Sequence, residues 1–199
     1  MTPTKLILIR HGITDWNEQK KYSGFMDISL NARGKTQARR LHKRLKVVQF
    51  HKIYCSDRKR AIQTAKIIFK GMGLKKVPSL KEIGFGCFEG YTYDELLEKY
   101  PIIYKKWLDT PSRVKIPKAE KQVDFRRRVL KAFKRIVSLN QNKTIAVVCH
   151  GGPISIFINS ILKTNGFWKY IPASASLTIV EYKRGKPQIR VFNDTRHLK

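Results

Sequence analysis

At 199 residues, 42% hydrophobic and 28% charged, the chain has the size of one ordinary α/β domain and can fill a core, which excludes a disordered polyelectrolyte. Lys and Arg number 42 against 14 Asp and Glu, a formal charge of +28; this excludes an acidic binding protein and points to anionic partners such as phosphorylated metabolites, nucleic acid or an anionic membrane. No apolar run approaches the ~18 residues of a membrane span, and the four apolar residues before Arg10 are too few for a signal-peptide core, so a cytoplasmic chain is expected.

In chain order, Lys5 to Ile9 is a continuous apolar run and predicts a buried parallel strand. From Asn31 to Val48, apolar residues at Ala38, Leu41, Leu45 and Val48 mark one face of a basic helix. A short strand follows at Lys52 to Cys55, then a helix from Arg58 to Phe69 with Ala61, Ala65 and Ile68 at helical spacing. The stretch from Tyr91 to Gln141 contains no clear strand. It reads as a helical excursion over one end of a sheet, within a single domain of residues 1–199. Thr144 to Cys149 is a third apolar strand, and Gly152-Pro153 opens a helix to about Leu162, with proline where its missing N–H costs little. Ser176 to Tyr182 and Gln188 to Phe192 predict a hairpin, or two neighbouring strands, at a sheet edge. Alternating strands and helices imply a three-layer α/β sandwich around a mostly parallel sheet.

Two of these strands run directly into histidine and glycine: LILIRHG ends at His11-Gly12, and IAVVCHGG at His150-Gly151-Gly152. In a parallel sheet, ligands bind beyond the carboxyl ends of the strands, so both imidazoles are delivered to one edge. Glycines at helix starts expose backbone N–H groups and a positive dipole end to an anion. Arg10 beside His11 adds a planar donor suited to a phosphoryl group. Ser56-Asp57-Arg58-Lys59-Arg60 follows the strand at Lys52 to Cys55 and brings more cations to that edge, though spacing does not choose among Arg58, Lys59 and Arg60. An acid is needed for the leaving oxygen. Glu82 and Glu89 share the Gly-rich stretch LKEIGFGCFEG, where Phe85 and Phe88 would desolvate either carboxyl group. Cys55, Cys87 and Cys149 are odd in number and lack CxxC spacing, so neither a disulfide nor a zinc site is expected.

Together and in this order, LILIRHGITDWN, YSGFMDISLNARGKTQA, CSDRKRAIQTA, LKEIGFGCFEG and VVCHGG resemble the histidine phosphatase superfamily, also called phosphoglycerate mutase-like. The resemblance implies His11 as the nucleophile that takes the phosphoryl group. Arg10, Arg60 and His150 would hold the phosphoryl oxygens, assisted by Asn17 and the Gly151 backbone, while the Ser23-Gly24 turn would line the substrate side. It selects Arg60 over Arg58, and Glu82 over Glu89 as proton donor. It implies no metal and no cofactor, and it places the 91–141 excursion over the active site. The short chain resembles the small phosphatase branch more than the longer glycolytic mutases. Within that branch FEGYTYDEL, YPIIYKKWLDTPSRVKIP and FNDTRHL are similar to α-ribazole phosphatases of cobalamin assembly; phosphoserine phosphatases and broad-specificity sugar or glycerate phosphatases are alternatives. One departure is visible. Where many such enzymes carry a Gly-Gly-Glu-Ser-like turn, Pro117 is followed here by Lys118-Ala119-Glu120-Lys121, which puts substrate contacts of that loop in question.

The rival expectation is a basic nucleic-acid-binding protein. Between Arg113 and Arg135 ten Lys or Arg face two acidic residues, and Arg126-Arg127-Arg128 forms a run. No helix-turn-helix, KH or RNP pattern accompanies it, so the expected partner is a small phosphorylated metabolite, with only weak, salt-sensitive adhesion to polyanions and no membrane.

Overall fold

The computed structural model describes residues 2–110, 114–164, 166 and 169–199. Residues 111–113, within one of the stretches similar to α-ribazole phosphatases, lie outside the described residues. The strands are β1 (Thr4–Arg10), β2 (Lys52–Cys55), β3 (Leu74–Lys76), β4 (Thr144–Cys149), β5 (Leu177–Lys183) and β6 (Lys186–Asp194). The helices are α1 (Asp15–Glu18), α2 (Ala32–Leu45), α3 (Lys59–Ile68), α4 (Tyr93–Lys99), α5 (Pro101–Asp109), α6 (Gln122–Ser138) and α7 (Gly151–Leu162). The strands form one sheet in the order β3-β2-β4-β1-β5-β6. β3, β2, β4 and β1 pair in parallel, and β5 runs antiparallel to both β1 and β6.

The two-residue alternation of the strands sorts the core into two layers. Leu6, Leu8, Tyr54, Ile145 and Val147 face Phe125, Val129 and Phe133 of α6 and Ile154, Phe157 and Ile158 of α7. Ile7, Ile9, Ile53, Cys55, Ala146 and Val148 face Ala38, Leu41 and Leu45 of α2 and Ala61, Ala65 and Ile68 of α3. This is the expected three-layer sandwich. Among the described residues no helix is long and apolar enough to cross a membrane.

Several boundaries differ from the sequence reading for local reasons. Asn31 is not the first residue of α2 but its cap, its side chain accepting from the Gly34 N–H at 2.9 Å. β3 was not expected: it has three residues, two of them lysines, between Gly73 and Val77-Pro78, and so shows no alternation to read. The β5–β6 hairpin turns at Arg184-Gly185, both with positive φ, so pairing extends through Pro187 on the edge strand. The 91–141 stretch holds α4, α5 and α6. Of these, α6 is a layer helix on the sheet face, while α4 and α5 carry Leu96, Tyr104 and Trp107 into the same core from beside it.

Candidate active site

Registry fixes the floor of the site. β1 pairs with β4 so that Arg10 lies opposite Cys149, and the His11 N–H continues the ladder to the Cys149 carbonyl at 3.0 Å. His11 and His150 are therefore the first residues past two adjacent strands. Ser56 is the first past β2, its N–H bonded to the Val148 carbonyl at 2.9 Å. The two imidazoles meet edge to face, with centroids 5.1 Å apart.

Hydrogen bonds set both tautomers. The His11 Nδ1 lies 2.7 Å from the Gly12 carbonyl, which can only accept; Nδ1 carries the proton and Nε2 keeps its lone pair. At His150, the Arg60 Nε–H donates to Nδ1 at 3.2 Å, so the Nε2–H donates to Ser56 Oγ at 2.8 Å. Burial, then Arg60 and Arg10, hold the His11 pKa well below the ordinary imidazole value. Burial, then Arg60, His11, Arg10 and Arg58, do the same for His150. Both rings are neutral at neutral pH.

Arg60 is 1% exposed and donates one N–H from each terminal nitrogen to the Met26 and Gly24 carbonyls at 2.6 and 3.0 Å. Burial lowers its pKa to about 10, which leaves it cationic. Arg10 donates from one terminal nitrogen to the Pro172 carbonyl at 2.6 Å, while its Nε is buried without a partner. Arg58, left open by spacing, pairs instead with Asp57 at 3.7 Å, and Lys59 is exposed.

Above the floor is a cleft of ≈ 160 Å³ lined by Arg10, His11, Asn17, Ser23, Gly24, Arg60, Glu82 and Gly151, together with Lys21, Tyr22, Phe85, Gly152 and Ile171. Asn17 fixes its carbonyl oxygen in the cap of α1, accepting from the Thr14 N–H and hydroxyl at 3.1 and 3.0 Å. Ser23 Oγ is buried and has no hydrogen-bond partner. Gly24 takes φ +42°, and a Cβ there would stand 2.0 Å from Glu89 Oε1, so this turn needs glycine on two counts.

The two glutamates separate. Glu82 faces the cleft, one oxygen accepting from the Gly152 N–H at 3.0 Å and the other from the Ile83 N–H at 2.9 Å. A Cβ on Gly152 would lie 2.1 Å from Glu82 Oε1, so glycine here leaves room for the carboxylate in its present position. Glu89 turns away and accepts from the Phe25 and Phe85 N–H groups at 2.8 and 2.9 Å, tying two loops together.

Of the expected site residues, His150 alone is absent from the cleft lining: it is fully buried behind Arg60 and His11 with both nitrogens engaged. No described residue of 91–141 lines the cleft either. α5 reaches it indirectly, Trp107 packing at 5.6 and 6.0 Å against Tyr22 and Phe85. Sequence reasoning did not find Lys21, Tyr22, Phe85 or Ile171 as lining residues, nor Thr64, whose hydroxyl accepts the Gly12 N–H at 3.1 Å. Ser56 carried a usable signal, since it follows an apolar strand as the histidines do. Among the described residues no group of three or more His, Cys, Asp or Glu converges as a metal site.

A strand-end pair of imidazoles, two guanidiniums and one carboxyl group thus gather over a helix N-terminus on a doubly covered sheet. The sequence model of the histidine phosphatase superfamily (branch 1) matches residues 6–195, and the chain belongs to that family. Among its relatives, phosphoserine phosphatase 1 of Hydrogenobacter thermophilus is 30% identical over 198 residues, covering 98% of this chain and 94% of the relative. The solved phosphoserine phosphatase of Entamoeba histolytica, in complex with 3-phosphoglyceric acid, is 33% identical with a TM-score of 0.87 over 98% of this chain and 100% of that one. The α-ribazole phosphatase of Shigella flexneri is 28% identical with a TM-score of 0.88, covering 96% of each chain.

Proposed function

We propose that this chain is a phosphatase that hydrolyses a small phosphate monoester through a phosphohistidine on His11. The observation that carries the reading is the His11 Nε2. It is an unprotonated nitrogen on a ring held neutral, in a cleft it shares with Arg10 and the buried Arg60. Nε2 attacks phosphorus in line and the P–O bond to the alcohol breaks as the N–P bond forms. Arg10 and Arg60 balance the phosphoryl charge in advance, as a metal ion does elsewhere, so the reaction needs none. The unpartnered Arg10 Nε is a donor available to a phosphoryl oxygen, and the Asn17 amide and Gly151 backbone complete the cradle. His150 stands behind this cradle, its Nδ1 accepting from Arg60 Nε, and so orients the Arg60 guanidinium. Glu82 in its protonated form gives its proton to the departing oxygen, then as carboxylate accepts one from the water that cleaves the N–P bond.

The cleft is smaller than the ~300–1,000 Å³ that encloses drug-sized ligands, and Lys21 adds a cation to its rim. Both features support a short anionic ester, of phosphoserine or phosphoglycerate size, over α-ribazole 5′-phosphate. The test is turnover of phosphoserine, phosphoglycerates, sugar phosphates, α-ribazole 5′-phosphate and p-nitrophenyl phosphate in excess chelator, with trapping of an acid-labile phosphoenzyme. His11→Ala should abolish the phosphoenzyme and cost at least ~10⁴-fold in rate. An unchanged phosphoenzyme in that variant, or activity lost on chelation, would refute the reading.

A further inference from the structure

Glu82 sits on no strand and no helix. It follows the 3₁₀ turn Pro78–Leu80 and precedes the loop that carries Phe85. A general acid nonetheless has to meet the leaving oxygen within hydrogen-bond reach, so something must fix this backbone from outside. What does so is the third arginine of the basic run. Arg126 and Arg127 are exposed, and Arg127 pairs with Asp124 at 2.7 Å. Arg128 turns inward and divides its guanidinium between two tasks. One terminal nitrogen donates to the Ser79 and Lys81 carbonyls at 2.9 and 2.8 Å, and the other to the Glu82 carbonyl at 2.9 Å. Nε and that second nitrogen also hold the Glu120 carboxylate at 2.6 and 2.7 Å, a part-buried bidentate pair.

Glu120 is itself fixed: its N–H donates to the Gly84 carbonyl at 2.9 Å, and its carboxylate accepts from the Gly84 N–H at 3.4 Å. Three separate segments therefore converge on one guanidinium: α6, the 117–120 turn, and the loop bearing Glu82. A lysine could not replace it, because a single ammonium cannot span three carbonyls and a carboxylate in a plane.

We propose that Arg128, with Glu120, is a positioning residue for the acid step: it sets where the Glu82 carboxyl group stands over the cleft. The assignment rests on the phosphohistidine reading above. A brace that served stability alone would lower every rate together when removed. A brace for Glu82 lowers only what depends on the acid, namely departure of a basic alkoxide.

The experiment measures the rate of phosphohistidine formation by rapid quench, with phosphoserine and with p-nitrophenyl phosphate, in the intact chain. Arg128→Lys should slow the phosphoserine step about 10-fold or more, a misplacement-sized effect, with KM little changed. The nitrophenyl step, whose phenolate leaves unaided, should change no more than about threefold. In a Glu82→Gln background, Arg128→Lys should add almost nothing to the phosphoserine loss, because the group it positions is gone. Glu120→Gln, which keeps the shape and removes the charge, should give the same pattern more weakly and serves where Arg128→Lys fails to fold. Equal losses with both substrates, or multiplying losses with Glu82→Gln, would overturn the assignment while leaving the phosphohistidine reading intact. A wild-type chain that forms no phosphohistidine would overturn both.

Discussion

The floor and the wall of the cleft are built by different means. The floor is sheet edge: Arg10, His11, Ser56 and His150 are placed by strand registry, each within the ladder or directly after it. The wall is the loop chain from 79 to 90, held by a few side-chain contacts: Arg128 of α6 to three of its carbonyls, and its own Glu89 to the Phe85 and Phe25 N–H groups. A floor tied to the core resists displacement of its imidazoles. A wall tied by a few polar contacts places Glu82 only as well as those contacts hold. Chemistry at phosphorus should thus be robust to change in the wall, and departure of the alcohol should be sensitive to it.

The largest test of that division is the pair of glutamates in the wall. Glu82→Gln should slow phosphohistidine formation from alkyl phosphates by ~10²–10⁴ and affect p-nitrophenyl phosphate far less. Glu89→Gln should leave that leaving-group dependence unchanged, while Glu89→Ala should lower stability by about 1–3 kcal/mol for each N–H it orphans. Rapid-quench kinetics and urea unfolding separate the two effects. The opposite pattern would make Glu89 the acid and the division between floor and wall wrong.

The same contrast explains what could be read beforehand. Floor residues announce themselves because an apolar run, then His and Gly, is local in sequence; both imidazoles and the strands beneath them follow from that pattern. In the wall, Glu82 and Glu89 look alike in sequence, since what separates them is which backbone N–H groups they meet, from Gly152 in one case and Phe25 and Phe85 in the other. The resemblance chose between them where the residues alone did not. In sequence Arg128 belongs to the basic run that suggests a nucleic-acid contact, because helical phase does not say that three carbonyls 46 to 49 residues away lie above it. β3 was missed for its length, and α6 was grouped with the excursion because its alternative partner, the sheet face, is brought to it only by the crossover.

The next test is acid stability, which should belong to the floor. His11 and His150 are held well below the imidazole value of 6.5 when folded, by burial first and then by Arg60. In the unfolded chain each returns to about 6.5. As pH falls below that value the unfolded chain takes up protons that the native rings refuse. Stability present above about pH 6.5 should therefore be lost at up to ~1.4 kcal/mol per pH unit for each ring, until the folded pKa is reached. Urea unfolding at about pH 7 and about pH 5.5 measures the slope. His11→Gln and His150→Gln should each remove one share of it. A slope unchanged in both variants would mean the acid sensitivity lies outside the floor.

The smallest effect lies in the wall and concerns the turn where the sequence departs from the family's Gly-Gly-Glu-Ser-like pattern. Lys118 stands at φ +59°, the left-handed region in which a side chain is strained, whereas Ala119 has no positive φ. At Lys118 the turn has a backbone that glycine adopts without strain. Lys118 lies between fixed neighbours: the Ala119 N–H donates to the Ile116 carbonyl at 3.1 Å, the Cys87 N–H to the Pro117 carbonyl at 3.0 Å, and Glu120 reaches Arg128 and Gly84. Lys118→Gly should relieve the strain, worth ~1–2 kcal/mol, and give back part of it in unfolded-chain entropy, for a net gain of up to about 1 kcal/mol. Ala119→Gly meets no such strain and should lose about 0.4–1 kcal/mol through the unfolded chain alone. Denaturation midpoints of the two variants should move in opposite directions. If both fell, the left-handed turn would not be the solution geometry, and the Glu120 carboxylate would have to reach Arg128 from a differently folded loop.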